Sequence, residues 1–207
     1  MNNTEEILKE LAALYPDASP ALRFNSPYEL LVAVILSAQC TDERVNKVTE
    51  VLFREHSTPE AMVKLSQSEL ERYIFSCGFY RNKAAHILSA SHDIIDKFGG
   101  EVPNTLESLK TLAGVGQKTA NVVFAVAFGG DAIAVDTHVF RVSNRLGIAE
   151  GNTPAKVEEG LCAAIPKDTW SKAHHYLIYH GRRVCHSQKP DCANCTLKSF
   201  CKFYIGK

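Results

Sequence analysis

Apolar residues recur at helical spacing almost throughout this chain, in runs that Ser, Thr or Asp opens and Gly or Pro closes, so its hydrophobic surface is best buried by packing helix on helix. Thr4 is placed to open a helix with Ile7, Leu8, Leu11 and Leu14 on one face, which Pro16 and Pro20 end. Ser26-Pro27 reads as a cap and a first-turn proline ahead of the apolar segment Tyr28 to Ala38. Thr41-Asp42 starts a helix with Val45, Val48, Val51 and Leu52 in one stripe. Thr58-Pro59 and Ser68 start two shorter helices, and Arg81 to Phe98 carries a long one to the Gly99-Gly100 stop. Beyond Pro103 come a short helix near Thr105 to Thr111, a tight stretch from Leu112 to Gly116, and a helix to Phe128. Thr137 to Leu146, Thr153 to Ala164 and Thr169 to His180 complete the series, and only Ile133 to Val135 reads as extended. The expectation is an all-α fold of about ten helices without internal repeats.

The chain has 207 residues, enough for a core of its own in one large domain or two small ones. It starts with polar and acidic residues, and no apolar run approaches the roughly 18 residues of a membrane helix, so a cytoplasmic address is expected. Formal net charge is zero, but it is unevenly spread. From Lys167 onward there are eight Lys or Arg against two Asp, which leaves 15 against 21 of the chain's 23 and 23 in the first 166 residues. A basic end on an acidic body offers a face for phosphates, or simply a solvated surface.

Leu112-Ala-Gly-Val-Gly116 places two glycines two residues apart between two helices, a turn whose N–H groups point outward where the second helix begins. Such a site favours an anion. Lys118 follows in the opening turn of a helix that is apolar on every side except at Asn121, a helix expected to be central and buried. An amine at a positive helix end in partly desolvated surroundings has its charged form disfavoured, as a nucleophile requires, although a lysine that snorkels to solvent fits the same local sequence. Ten helical steps from Lys118 to Phe128 span about 15 Å. If Gly129-Gly130 reverse the chain, an extended run to Asp136 spans about 16 Å and returns the carboxylate to the level of the amine. Asp136 also stands where it can cap the next helix, and a carboxylate held by N–H groups suits the stabilisation of positive charge or the removal of a proton. The eight histidines read as orienting or partly buried groups, among them His138 near Asp136, and His174, His175 and His180 on one helix.

Seven cysteines, four of them clustered as Cys185-x6-Cys192-x2-Cys195-x5-Cys201, do not make an extracellular disulfide framework. The cluster reads as a metal site, with zinc the generic choice and iron–sulfur the alternative, because only one C-x2-C pair is present. Cys40, Cys77 and Cys162 lie in apolar surroundings and read as small buried hydrophobes.

Leu112-Ala-Gly-Val-Gly-Gln-Lys-Thr-Ala-Asn-Val-Val123 and Ala134-Val-Asp-Thr-His-Val-Phe-Arg-Val142 resemble the endonuclease III family of the helix-hairpin-helix DNA glycosylase superfamily. Leu36-Ser-Ala-Gln-Cys-Thr-Asp42, Gly78-Phe-Tyr80 and the cysteine spacing extend the resemblance from about Ser26 to Cys201. It implies a bifunctional enzyme that removes damaged pyrimidines and cuts the abasic strand by β-elimination, with Lys118 as the nucleophile that forms a Schiff base and Asp136 as its partner. Gly114, Val115 and Gly116 match the hairpin that grips the DNA backbone, and Gln39 and Phe79 match positions that fill the gap left by a flipped nucleotide. For Gln39 a helix-end hydrogen bond, and for Phe79 a place in the core, are the alternatives. Cys185, Cys192, Cys195 and Cys201 match the ligands of one [4Fe-4S] cluster.

Two helical lobes follow from the same resemblance, residues 20–130 with the hairpin, and residues 1–19 with 131–207 carrying the cluster loop, with Lys118 and Asp136 on facing walls of a cleft. The implied partner is duplex DNA with damaged bases or abasic sites, bound by a monomer with no membrane attachment, in the cytoplasm and on the nucleoid if the source is bacterial. Arg182, Arg183, Lys189, Lys198 and Lys202 are the cations expected against its phosphates or in plain solvent. Two positions depart from the family: Ala113 stands where Pro is usual, and Gln117 where a basic residue is common.

Overall fold

The computed structural model describes residues 3–206. They form twelve α-helices and two short 3-10 turns, and no strand is present among them. Two compact units result, one of residues 20–130 and one of residues 1–19 with 131–207.

The 20–130 unit is built on α2 (Pro27–Ser37), whose residues from Tyr28 to Leu36 are all buried. Ser26 caps it through Glu29 N, and Pro27 occupies the first turn, where its missing N–H costs nothing. Around it pack α3 (Asp42–Leu52), α6 (Tyr80–Phe98) and α8 (Gln117–Phe128), with the shorter α4 (Pro59–Met62), α5 (Gln67–Ile74) and α7 (Leu106–Leu109) against α6 and α8. Each fully buried leucine here contributes on the order of 2 kcal/mol of transfer free energy.

The buried stripe of α3 is Val45, Val48, Thr49 and Leu52, and Val51 is 49% exposed. Steps of three and four from Val45 fall on residue 49, and its hydroxyl is satisfied by the Val45 carbonyl at 3.1 Å. α5 opens at Ser66 and not at Ser68, because Ser66 and Glu69 close a reciprocal capping box. α8 is less enclosed than its composition suggests. Ala120, Asn121, Val123 and Ala125 are buried, and its other apolar residues are only partly so.

In the other unit, α9 (Thr137–Leu146) packs on α11 (Trp170–Arg183), α10 (Pro154–Ala164) and α12 (Lys202–Ile205), and α1 (Asn3–Leu14) lies on α11. α1 buries Ile7 and Leu11, whereas Leu14 is 37% exposed and Tyr15 takes the next inward position, its hydroxyl 3.0 Å from His180 Nδ1. Thr4 lies inside α1 and is buried, so it does not cap the helix. α11 follows a 3-10 turn at Lys167–Thr169 and runs past His180 to Arg183, with cations in its last turn, where the helix dipole favours them. Gly181 allows α9 and α11 to approach, since a Cβ there would lie 2.9 Å from that of His138. Ile133 to Val135 is buried but forms no strand, and Ala134 O bonds His174 Nδ1 at 2.8 Å. The second 3-10 turn, Thr196–Ser199, and α12 lie within and just after the cysteine segment, where no periodic pattern announces them.

Candidate functional site

Thr105 caps α7, and the chain then tightens from Leu112 into α8. Val115 is buried and its N–H reaches Leu112 O at 3.1 Å. Gly114 sits at φ +77°, and a Cβ on it would stand 2.9 Å from that of His86, so conformation and space both require glycine. Gly116 is the N-cap of α8, exposed, and without a side-chain cap it leaves first-turn N–H groups for an outside acceptor.

Lys118 is the second residue of α8 and is exposed, which corrects the expectation of partly desolvated surroundings: the helix turns its buried face through Ala120, Asn121 and Val123 instead. Gln117 bonds the buried Asn121 at 2.9 Å and accepts from Lys110 Nζ at 3.3 Å. A cation therefore stands beside the position where the family's own basic residue is missing.

Gln39 and Phe79 share an unusual backbone. They adopt φ of +53° and +57°, the left-handed region that costs a non-glycine residue roughly 1–3 kcal/mol. Both are exposed, Phe79 at 65%, so Phe79 is not a core aromatic. Lys83, which the sequence did not single out, is buried and donates to Leu36 O at 2.9 Å and Ala38 O at 2.6 Å.

Asp136 is half-buried and caps α9, its Oδ1 accepting from His138 N at 2.9 Å and Val139 N at 2.7 Å. It belongs to a different unit from Lys118. Burial pushes the His138 imidazole below its ordinary pKa, with Asp136 opposing. Arg141, one turn on, braces this end of α9 by donating to Gly181 O and Cys185 O, both at 2.9 Å.

Cys185, Cys192, Cys195 and Cys201 line one pocket with apolar walls that include Leu146, Val184 and Phe203. All four carry free thiols. Among the described residues no three His, Cys, Asp or Glu side chains are gathered closely enough for a single metal ion. Arg145, missed in the sequence, donates to Cys185 Sγ at 3.4 Å and to His186 O at 2.7 Å. Its spacing of four from Arg141 on one helix, ahead of a cysteine segment, was the available signal. Of the C-terminal cations, Lys202 pairs with Glu150 at 2.7 Å, Arg183 stacks 4.6 Å over the Tyr179 ring, and Lys198 Nζ donates to Ala193 O at 3.0 Å.

Residues 32–167 match the HhH-GPD superfamily of base excision DNA repair proteins. Endonuclease III of Haemophilus influenzae is 47% identical over 98% of this chain and 97% of its own, and that of Bacillus subtilis is 48% identical over 98% and 93%. A trapped endonuclease III–DNA covalent intermediate superimposes with a TM-score of 0.93 at 47% identity, covering 100% of this chain and 99% of that one. The chain belongs to the endonuclease III family. Like that family it is a base excision repair enzyme, all-helical throughout its described residues. A thermostable thymine-DNA glycosylase, 23% identical with a TM-score of 0.88, shares the fold. No described helix is long and apolar enough to cross a membrane.

Proposed function

We propose that the chain removes oxidised or otherwise damaged pyrimidines from duplex DNA and then cuts the abasic strand. Lys118 Nζ attacks C1′ of the damaged nucleotide, the glycosidic bond breaks and the base departs with a proton. The C1′–O4′ bond then opens, with O4′ taking up a proton from the amine, to give the Schiff base; this loses a C2′ proton as the C3′–O bond breaks by β-elimination, and water hydrolyses the imine to free Lys118. Asp136 supports the reaction by stabilising positive charge at C1′ or by taking the amine's proton. The Gly114-Val115-Gly116 hairpin receives the phosphate backbone through N–H groups other than that of Val115, which already bonds Leu112 O, and Gln39 and Phe79 enter the space vacated by the flipped nucleotide.

The observation that carries this reading is end-to-end likeness to a protein caught covalently on DNA, combined with an exposed amine in the first turn of an uncapped helix. Four free thiols around one apolar-walled pocket suit a [4Fe-4S] cluster, held by Cys185, Cys192, Cys195 and Cys201. A cluster held there would order the loop. The enzyme works as a monomer in the cytoplasm, on the nucleoid in a bacterium, and the exposed Arg182, Lys189 and Lys198 supply salt-dependent affinity without sequence preference.

Borohydride reduction in the presence of abasic-site duplex is expected to link the wild type covalently to DNA, and Lys118→Ala to abolish the link. Undiminished trapping by Lys118→Ala would exclude this lysine as the nucleophile. A glycosylase that uses an aspartate and water alone would give no trapped species with either protein.

A further inference from the structure

Among the described residues, Lys83 is the only Lys or Arg that is fully buried, with 4% of its surface accessible. Taking an ammonium out of water costs several kcal/mol unless its protons find acceptors. Its acceptors are main-chain carbonyls and not a carboxylate: Leu36 O at 2.9 Å and Ala38 O at 2.6 Å. These belong to the C-terminal end of α2, where carbonyls have no helical partner and a cation is favourable. Residue 38 immediately precedes Gln39. The main-chain N–H of Lys83 donates in turn to Phe79 O at 3.1 Å, so a single residue bonds one left-handed position directly and the residue next to the other.

The two segments also touch directly. A Cβ at Gly78 would lie 3.4 Å from Gln39 O, and Cys40 N closes the turn after α2 on Ser37 O at 3.1 Å. Cys40 and Cys77 flank the buried amine, and burial lowers its pKa while the two thiols oppose that shift. Backbone held at positive φ by residues that do not prefer it persists only where the surroundings over-determine it. Lys83 is the shared element of those surroundings.

We propose that Lys83 is a positioning residue that ties the end of α2 to the start of α6, so that Gln39 and Phe79 project together as a preformed wedge for the gap in a lesion-bearing duplex. This rests on the reading of Gln39 and Phe79 as residues that enter DNA. Lys83 itself touches no DNA; it removes the ordering cost that two loose loops would incur on binding.

The test is a double-mutant cycle on the full-length holoenzyme, reading affinity by fluorescence anisotropy for a duplex with a tetrahydrofuran abasic analogue and for its undamaged counterpart. Lys83→Met is expected to weaken lesion binding about tenfold, the scale of a lost charge-assisted hydrogen bond, and to leave undamaged-duplex affinity unchanged. In a Gln39→Ala/Phe79→Ala background the same substitution should cost less than about twofold, because its effect passes through those two side chains. An equal loss in both backgrounds, or on both duplexes, would mean that Lys83 serves only the fold, and the proposal would fall. It would fall as well if Gln39→Ala/Phe79→Ala left lesion binding intact, yet borohydride trapping through Lys118 would then still report the chemistry. Should Lys83→Met lose its helical circular dichroism, Lys83→Gln, which keeps a donor on a shorter stem, takes its place in the cycle with the same two readings.

Discussion

Arg145 donates through Nη1 to the sulfur of Cys185 at 3.4 Å, and its own backbone carbonyl accepts from the sulfur of Cys201 at 3.2 Å. The same guanidinium reaches His186 O and Ser187 O and lies 4.7 Å over the Phe203 ring. One residue of α9 thus fastens both ends of the cysteine segment, the first through its side chain and the last through its carbonyl. Arg145→Met is expected to weaken iron retention about 10- to 100-fold, the usual scale for groups that support metal ligands, while α1 to α8 keep their helicity. Iron per protein during dialysis against a chelator measures this, and wild-type retention would contradict it.

Asp136 combines a cap with a proposed chemical role, and the two separate by substitution. Asn caps as well as Asp, so Asp136→Asn should stay within about 0.5 kcal/mol of wild-type stability, whereas Asp136→Ala should lose about 1 kcal/mol. Both should slow cleavage of lesion DNA at least about 100-fold if the charge takes part in the reaction. Urea melts and single-turnover cleavage on the same preparations give the comparison.

Phe79 holds an exposed ring on left-handed backbone. Asn tolerates that conformation better than Phe, and little burial is lost. Phe79→Asn should therefore melt no lower than the wild type while binding lesion duplex more weakly. A lower melting temperature would show that the ring is held in the core after all.

Gly114 and Gly116 should respond in opposite ways to a single methyl group. Gly114→Ala meets His86 and a positive φ, for a cost of roughly 1–3 kcal/mol. Gly116→Ala meets nothing within 4 Å on ordinary extended backbone and should be nearly neutral to folding. Thermal denaturation of both variants checks this.

His175 gives the fold a sensitivity to acid. Burial, and then the neighbouring His174, hold its pKa down to about 4 from 6.5. Above 6.5 the ring is neutral in folded and unfolded chains alike. As pH falls from 6.5 towards 4, only the unfolded chain gains the proton, and stability is lost across that window, by on the order of 1–2 kcal/mol at pH 5. His175→Gln should flatten this part of the pH–stability curve in denaturant titrations at pH 7.5 and pH 5.

Much of this architecture was legible because helix starts are local chemistry. Ser26, Thr41, Thr58, Thr105 and Thr153 each bond an N–H a few residues ahead, and the chain announces them in order. The glycine turn at residue 114 was legible for the same reason. The left-handed backbone of Gln39 and Phe79 was not, since neither residue type asks for it and contacts distant in sequence impose it. Lys83 looked like any surface lysine in an amphipathic helix, and Arg145 meets its sulfur partner 40 positions away. Val51 was misplaced by reading apolar identity ahead of helical phase, which gave the inward place to Thr49.

Residues 1–19 complete the same unit as residues 131–207, with the rest of the chain inserted between. On the ribosome, Ile7 and Leu11 of α1 are made before residues 20–130, and α9 and α11, which share their core, only after them. The inserted unit has its full sequence first. α1 must wait, with its apolar face uncovered, for α9 and α11, and the cysteine pocket cannot form until the chain has been made as far as Cys201. Loading of any iron is thereby deferred until the cysteine segment has emerged.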